Sequence, residues 1–378
     1  MDHDYSHHDA LTFLNHRAPL KEKIVSAHKA VQQNHPFIAR IAVALYSQET
    51  KVLHTYLHSS GEDNPLDHYQ TVIDNAPSLK KILELGKPRV INNMLTFEDN
   101  NKEHARRLGR QGYAASYTTP MFNNGLFFGF LFFNSYEKEV FNERVLAELD
   151  LHGHIIALMV INEMSSIQTL SAAIKTTGQI THQRDPETGS HLDRMSRYSR
   201  LIAQVLAEKY QLDDSYIEYI FMFSPLHDIG KIAIPDNILL KSGSLTEDEM
   251  AVMKTHVHKG REMIDALVDN FALGSINQTD ILRNIALCHH EAINGSGYPE
   301  GRAGDDIPLE ARIVAVADIF DALTSRRPYK EAWSNERAFA ALHEMAGEKL
   351  DTDCVEALLT HQKEVEEIQQ VFKEQPFG

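Results

Sequence analysis

The rhythm of apolar and polar positions changes twice along this chain. Over residues 21–33 apolar positions recur with a helical period, and Pro36 closes that stretch before strand-like runs at 37–46 and 52–57. The short polar connection between the two runs suggests a hairpin. A helix over 76–85 and strands at 89–91 and 112–122 follow. The last of these is expected to pair with 126–133 across Asn123-Asn124-Gly125, a strong hairpin signal. Residues 16–160 therefore read as α+β, an antiparallel sheet with flanking helices. Tyr117, Phe122, Phe128 and Phe130 fall on its strands, where such side chains fill a core or line a pocket.

A long helix-compatible stretch runs from 141 to about 180, with Val145, Leu149, Ile156, Met159, Ile161, Ile167, Leu170 and Ile174 at recurrent positions. Its heptad is imperfect. A signalling helix pairing with its copy in a dimer and an ordinary domain helix followed by a short linker both fit, with the linker drawn over 161–180. From residue 181 strand alternation disappears. Helical stretches at 190–207, 214–227, 246–267, 280–290, 309–322, 335–346 and 353–372 predict an all-α bundle over 181–375. Thr246 and Glu249 have the spacing of a capping box, and Ser334 or Asn335 suits a helix N-cap.

The order of elements over 16–160, with its closing hairpin, resembles a GAF domain, a bacterial sensory module. The resemblance implies small-ligand binding, or dimerisation and signal transmission, without selecting a ligand.

Length and charge narrow the function. At 378 residues the chain fits two domains. A formal charge of -16 argues against bulk nucleic acid or an anionic membrane surface as the main partner. A small anionic substrate remains compatible if local cations and bound metal reverse the field at the site. Cys288 and Cys354 form neither a metal pattern nor a disulfide framework, which fits a reducing compartment. The N-terminal residues lack the basic and apolar regions of a signal peptide, and no run approaches the roughly 20 uninterrupted apolar residues of a membrane span. The expected location is cytoplasmic.

Polar residues that interrupt the apolar faces carry the chemistry. His227 and Asp228 are adjacent, just before Gly230 breaks the helical pattern. Neighbouring helix positions point about 100° apart, so both side chains reach one metal, or two adjacent metals, only near a helix end or bend. Alone, this dipeptide is more often a hydrogen-bonded pair in the core or on the surface. His289 and His290 close a second apolar run, Ile281, Ile285, Ala286 and Leu287, where buried imidazoles need partners that a metal supplies at once. Asp318 lies on an apolar helix with Ile313, Val314 and Val316, and His256 lies four residues before Gly260. Taken singly, His256 reads as a surface residue and Asp318 as a salt-bridge acceptor. In company with the two pairs, ligation is the better reading, and imidazole with carboxylate suits Fe, Mn, Co, Ni or Zn.

The motifs His-Asp-Ile-Gly-Lys at 227–231, His256 with Gly260, His289-His290-Glu291, Asn294-Gly295-Ser296-Gly297-Tyr298-Pro299 and the segment 318–330 occur in an order that resembles the HD-GYP domain. This is a bacterial family within the HD phosphohydrolase group, and the resemblance covers about 181–350. It implies two or three divalent metals, iron first and manganese next. On the resemblance the ligands are His191, His227, Asp228, His256, His289, His290 and Asp318, with Asp228 bridging, and Glu187, four residues before His191, serves a third metal. Lys231 would contact the scissile phosphate, although a solvent-facing lysine at a helix end is the plain alternative. Arg327 and Lys330 match phosphate-recognition positions. Gly297, Tyr298 and Pro299 build a tight loop for substrate handling and partner contacts, with Tyr298 packing on a guanine or supporting the loop.

The expected activity is hydrolysis of cyclic di-GMP by a metal-bridging hydroxide, to linear pGpG and on to GMP. The alternatives are a phosphodiesterase for 3',3'-cyclic GMP-AMP and a non-catalytic cyclic-dinucleotide receptor. Expected partners are the cyclic dinucleotide, a second copy through the GAF-like domain and linker helix, and a signalling protein. Three departures from the family pattern, Asn294, a lengthened segment at 271–279 and Leu350-Asp351-Thr352-Asp353, bear on rate, specificity or docking and remove no ligand.

Overall fold

The computed structural model describes residues 9–16, 18–60, 66, 68–94, 111–180, 189–270, 279–325 and 332–373. The chain divides into two compact units, Met1–Ser165 and Ser166–Gly378.

In the first unit α1 (Leu20–Asn34) leads into a six-stranded sheet of β1 (Ile38–Tyr46), β2 (Val52–His58), β3 (Gln70–Val72), β4 (Arg89–Ile91), β5 (Ala115–Asn123) and β6 (Leu126–Ser135). The order is β3-β2-β1-β6-β5-β4, and each neighbouring pair is antiparallel. Central β1 reads as a near-continuous apolar run because both its faces are covered, and Ile38, Ile41, Val43 and Leu45 are all buried. The α+β reading holds, with α2 (Pro77–Leu85) beside the sheet. Strand β3 was not anticipated: Gln70-Thr71-Val72 is short and lies at a sheet edge. Tyr117 and Phe130 are core residues, whereas Phe122 is exposed.

Helix α3 (Glu143–Ile180) continues from the sheet. Val145, Leu149, Ile156, Val160, Met164 and Ile167 are buried along one face. Tyr117 donates its hydroxyl to Asp150, and Asn123 Nδ2 donates to Ser165 Oγ at 3.2 Å. By length and composition Glu143–Ile167 is apolar enough to cross a membrane, with mean hydropathy 1.4. A search for uninterrupted apolar runs passes over it. Part of it packs on the sheet: a Cβ on Gly153 would stand 3.5 Å from Leu131 Cδ2 and 3.6 Å from Phe133 Cε2.

The described residues of the second unit are helical: α4 (Gly189–Tyr210), α5 (Asp214–Phe223), α6 (Asp236–Leu239), α7 (Glu247–Lys254), α8 (His256–Asn270), α9 (Thr279–Cys288), α10 (Leu309–Thr324), α11 (Asn335–Met345), α12 (Thr352–Leu359) and α13 (Gln362–Val371). Three stretches expected as single helices are broken. Pro225 sits in a 3-10 turn, Ser224–Leu226, so α5 ends before His227. Thr255 separates α7 from α8 by donating its hydroxyl back to the Val252 carbonyl at 2.7 Å. The segment 353–372 splits between α12 and α13, with Asp351 capping α12 through the Cys354 amide at 2.9 Å. The Thr246–Glu249 capping box and the Ser334 cap are both formed. The core gathers on α4 and α10, where Phe320 packs edge-on against Tyr198 at 5.2 Å and stacks on Phe339 at 5.0 Å.

Candidate metal centre

Breaks in the helices bring the polar residues together. His227 ends the 3-10 turn after α5, and Asp228 precedes another at Ile229–Ala233. The adjacent pair is thereby freed from the divergence a continuous helix would impose. His256 opens α8 at the Thr255 break, and His289 and His290 follow the last turn of α9. His191 comes from the first turns of α4 and Asp318 from the middle of α10. Gly230 lets the His-Asp segment lie against α8: a Cβ there would stand 1.9 Å from the His256 carbonyl oxygen and 2.5 Å from the Gly260 amide.

Two clusters result. Asp228, His256, His289 and His290 form one, and His191, His227 and Asp318 the other. Within each, one ligand atom per residue lies within 4.8 Å of all the others. Asp228 faces both. Its Oδ2 is 3.2 Å from His227 Nε2, while its Oδ1 is 3.1 Å from His256 Nε2 and 3.6 Å from His289 Nε2. Asp318 Oδ1 lies 3.7 Å from His191 Nε2 and 3.9 Å from His227 Nε2.

Hydrogen bonds behind the rings define what faces the centre. The Nδ1 atoms of His227, His256 and His289 donate to the carbonyls of Ser224, Met253 and Ile285 at 2.9, 2.8 and 2.8 Å. A carbonyl only accepts, so the proton of each neutral ring sits on Nδ1 and Nε2 presents a lone pair. His256 Nε2, His289 Nε2 and Asp228 Oδ1 are buried without a hydrogen bond of good geometry. Converging acceptors in the interior are costly unless a cation lies among them. This donor set fits a transition metal.

The electrostatics agree. Burial pushes the His289 pKa down and drives that of His290, beside His289, far below the ordinary histidine value, so both rings stay neutral and ligand-competent. Burial would raise the Asp228 carboxyl, but Lys231, whose Nζ lies 2.6 Å from Oδ2, holds it well below the usual carboxylate range.

The loop after α9 forms one wall. Tyr298 stacks on His290 with ring centroids 4.8 Å apart, its amide donates to the His290 carbonyl at 3.1 Å, and Lys254 Nζ lies 4.9 Å from its ring centroid. Gly297 passes so close to the backbone of Glu291 and Ala292 that a Cβ would stand 2.3 Å from the Ala292 amide nitrogen. Buried Glu291 accepts from the Glu300 and Arg302 amides at 2.8 and 3.0 Å and so closes the loop, with half-buried Pro299 inside it. Glu187, Arg327 and Lys330 lie outside the described residues.

Sequence reasoning missed Asp321 and Arg194. Both are buried, and Arg194 grips Asp321 through Nε to Oδ1 at 2.7 Å and Nη2 to Oδ2 at 2.9 Å. Their only trace in the sequence is spacing: Arg194 follows His191 by three positions, and Asp321 follows Asp318 by three.

The HD domain family matches residues 186–354. The chain is 45% identical over 221 residues to the cyclic di-GMP phosphodiesterase response regulator RpfG of Xanthomonas campestris, covering 58% of this chain and 54% of that protein. It is 36% identical over 220 residues to the 3'3'-cGAMP-specific phosphodiesterase 2 of Vibrio cholerae, covering 58% of this chain and 40% of that protein. The chain thus spans about half the length of the curated relatives it matches. A crystal structure of a GAF domain/HD domain protein from Geobacter sulfurreducens aligns at 16% identity and a TM-score of 0.32, over 39% of this chain and 95% of that one. The C-terminal half of this chain carries an HD domain.

Proposed function

We propose that this chain is a metal-dependent phosphodiesterase that hydrolyses cyclic di-GMP to linear pGpG and then to GMP. The observation that carries the reading is Asp228, a carboxylate whose two oxygens each face a different histidine cluster. That arrangement suits a bridge between two cations, one held by His191, His227 and Asp318, the other by His256, His289 and His290. We assign iron first and manganese second, with Glu187 serving a third. Bound cations would lower the pKa of an attacking water to about 7 and neutralise charge on the phosphate.

The remaining work falls to the chain. Lys231 meets Asp228 at Oδ2, where its ammonium can turn to a phosphate oxygen and stabilise the departing one. Tyr298 offers a ring face beside His290 for a guanine or for the loop itself. Arg327 and Lys330 add phosphate contacts by their motif. Pro299 and Gly297 fix the wall that carries Tyr298. With these cations an acidic chain accommodates an anionic substrate.

The relatives include proteins named for cyclic di-GMP and for 3'3'-cGAMP, so the hybrid dinucleotide is the second reading and a non-catalytic receptor the third. For the first unit we assign a GAF-like sensory and dimerisation domain over 16–160, joined by a linker helix over 161–180 to a catalytic domain over 181–375. Leu151 and Leu158, exposed seven residues apart on α3, suit a homodimer seam. A signalling protein is a further partner. The free, buried Cys288 and Cys354 suit the cytoplasm.

The test is a product-resolved time course with Mn²⁺- or Fe²⁺-loaded protein on cyclic di-GMP, cyclic GMP-AMP and cyclic di-AMP. Faster cleavage of cyclic di-GMP supports the reading. Preference for the hybrid transfers it to the second, and metal-loaded protein that binds without turnover supports the receptor.

A further inference from the structure

We propose that Asp321 is a positioning residue that sets the metal affinity of the His191 side of the centre alone; this rests on reading the site as a metal centre. Among the histidines with a hydrogen bond behind the ring, His191 stands apart. His227, His256 and His289 use carbonyls three or four residues back in their own segments. The His191 Nδ1 instead pairs with Asp321 Oδ2 at 2.8 Å, across from α4 to α10. One helix therefore supplies both carboxylates, Asp318 within the cluster and Asp321, one turn on, behind its histidine.

Asp321 is fully buried, and a buried carboxylate is tolerable only when paired. Beyond the Arg194 fork, it accepts from Ser325 Oγ at 2.8 Å. Arg194 Nη2 also donates to Ser325 Oγ at 2.6 Å and Nη1 to the Phe372 carbonyl at 3.0 Å. The carboxylate is thus locked from four directions and cannot follow a moving ring. The Arg194 guanidinium, forked onto both oxygens, matches the charge of an anionic carboxylate. An anionic acceptor fixes the tautomer and raises the basicity of the far nitrogen. None of these hydrogen bonds involves a residue of the other cluster.

Asp321→Asn alone strands the Arg194 charge in the interior, so the informative protein is the paired variant Arg194→Gln/Asp321→Asn, which removes both charges and keeps amide partners. Mn²⁺ equivalents are counted by elemental analysis, and affinities are read by chelator competition on full-length protein shown to be folded by circular dichroism and a cooperative melt. The expected result is one equivalent held with wild-type affinity and one weakened by about 10–100-fold. In a His191→Ala background the same pair should cause little further loss. Equal weakening of both equivalents, or two retained at wild-type affinity, overturns the proposal. A wild-type protein that takes up no Mn²⁺ overturns the metal-centre reading itself. If the pair does not fold, Ser325→Ala, which removes one donor to Asp321, should weaken the same single equivalent, and an unchanged profile contradicts the proposal.

Discussion

Asp228 Oδ1 and His256 Nε2 lie 3.1 Å apart in the protein interior without a hydrogen bond of good geometry. His256 Nδ1 donates to the Met253 carbonyl, which turns Nε2 toward the carboxylate, and the carboxylate is held ionised. Two acceptors at this distance repel unless something positive stands between them. The same relationship recurs at His289, 3.6 Å from the same oxygen. Acceptors converge here as they do around a cation.

Gly230→Ala should be among the most damaging single-methyl changes in the second unit. Its Cβ would fall 1.9 Å from a backbone oxygen of α8, which cannot swing aside like a side-chain tip. Overpacking of this kind costs about 1–3 kcal/mol, occasionally more. Thermal unfolding should show that loss, and elemental analysis should show depleted metal, because the shift separates Asp228 from His256.

Lys231→Met should separate chemistry from metal binding. The ammonium touches Asp228 Oδ2 but belongs to neither histidine cluster. Metal content should stay near wild type while kcat falls by about 100-fold, the scale of losing one electrostatic donor at a reacting phosphate. Equal loss of metal and turnover would place the lysine in support of the carboxylate instead.

Glu291→Ala should loosen the wall that carries Tyr298. It removes the acceptor of two backbone amides, at Glu300 and Arg302, and strands both. Charge-assisted bonds are worth about 1.5–3 kcal/mol each, so a melt should show several kcal/mol lost. The KM for substrate should rise more than kcat falls, since no metal ligand is touched.

Acid should weaken the first unit through His28. Its Nε2 donates to the Ile38 carbonyl at 2.8 Å, and burial lowers its pKa from the ordinary 6.5. The unfolded chain therefore takes up this proton at a higher pH than the folded one. Below about 6.5 the unfolded state binds more protons, so stability falls with pH, and well above 6.5 the contribution is flat. Unfolding of wild type and His28→Gln between pH 7.5 and 5.5 should show a shallower decline in the variant.

Much of this centre was legible in the sequence because its residues are polar intrusions on apolar faces. His289, His290 and Asp318 announce themselves that way, and the hairpin at Asn123-Asn124-Gly125 is written in two residues. The helix breaks were not legible. A single residue such as Thr255 interrupts the hydrogen bonding without disturbing the apolar phase, so a periodicity count runs straight through it. Pro225 was the one printed warning before His227. Asp321 was hidden for a different reason: its meaning depends on Arg194, 127 positions away on another helix, and no local pattern joins them. Strand β3 was lost because three residues, two of them polar, have too little alternation to register.

The central claim is that Asp228 joins two metal positions that together cleave a cyclic dinucleotide. The most direct measurement is a paired metal count and cyclic di-GMP turnover on anaerobically purified wild-type protein and its Asp228→Asn variant. The account predicts at least two equivalents and hydrolysis in the wild type, with both sharply reduced in a variant that still folds. Full metal content with unimpaired turnover in Asp228→Asn would contradict it.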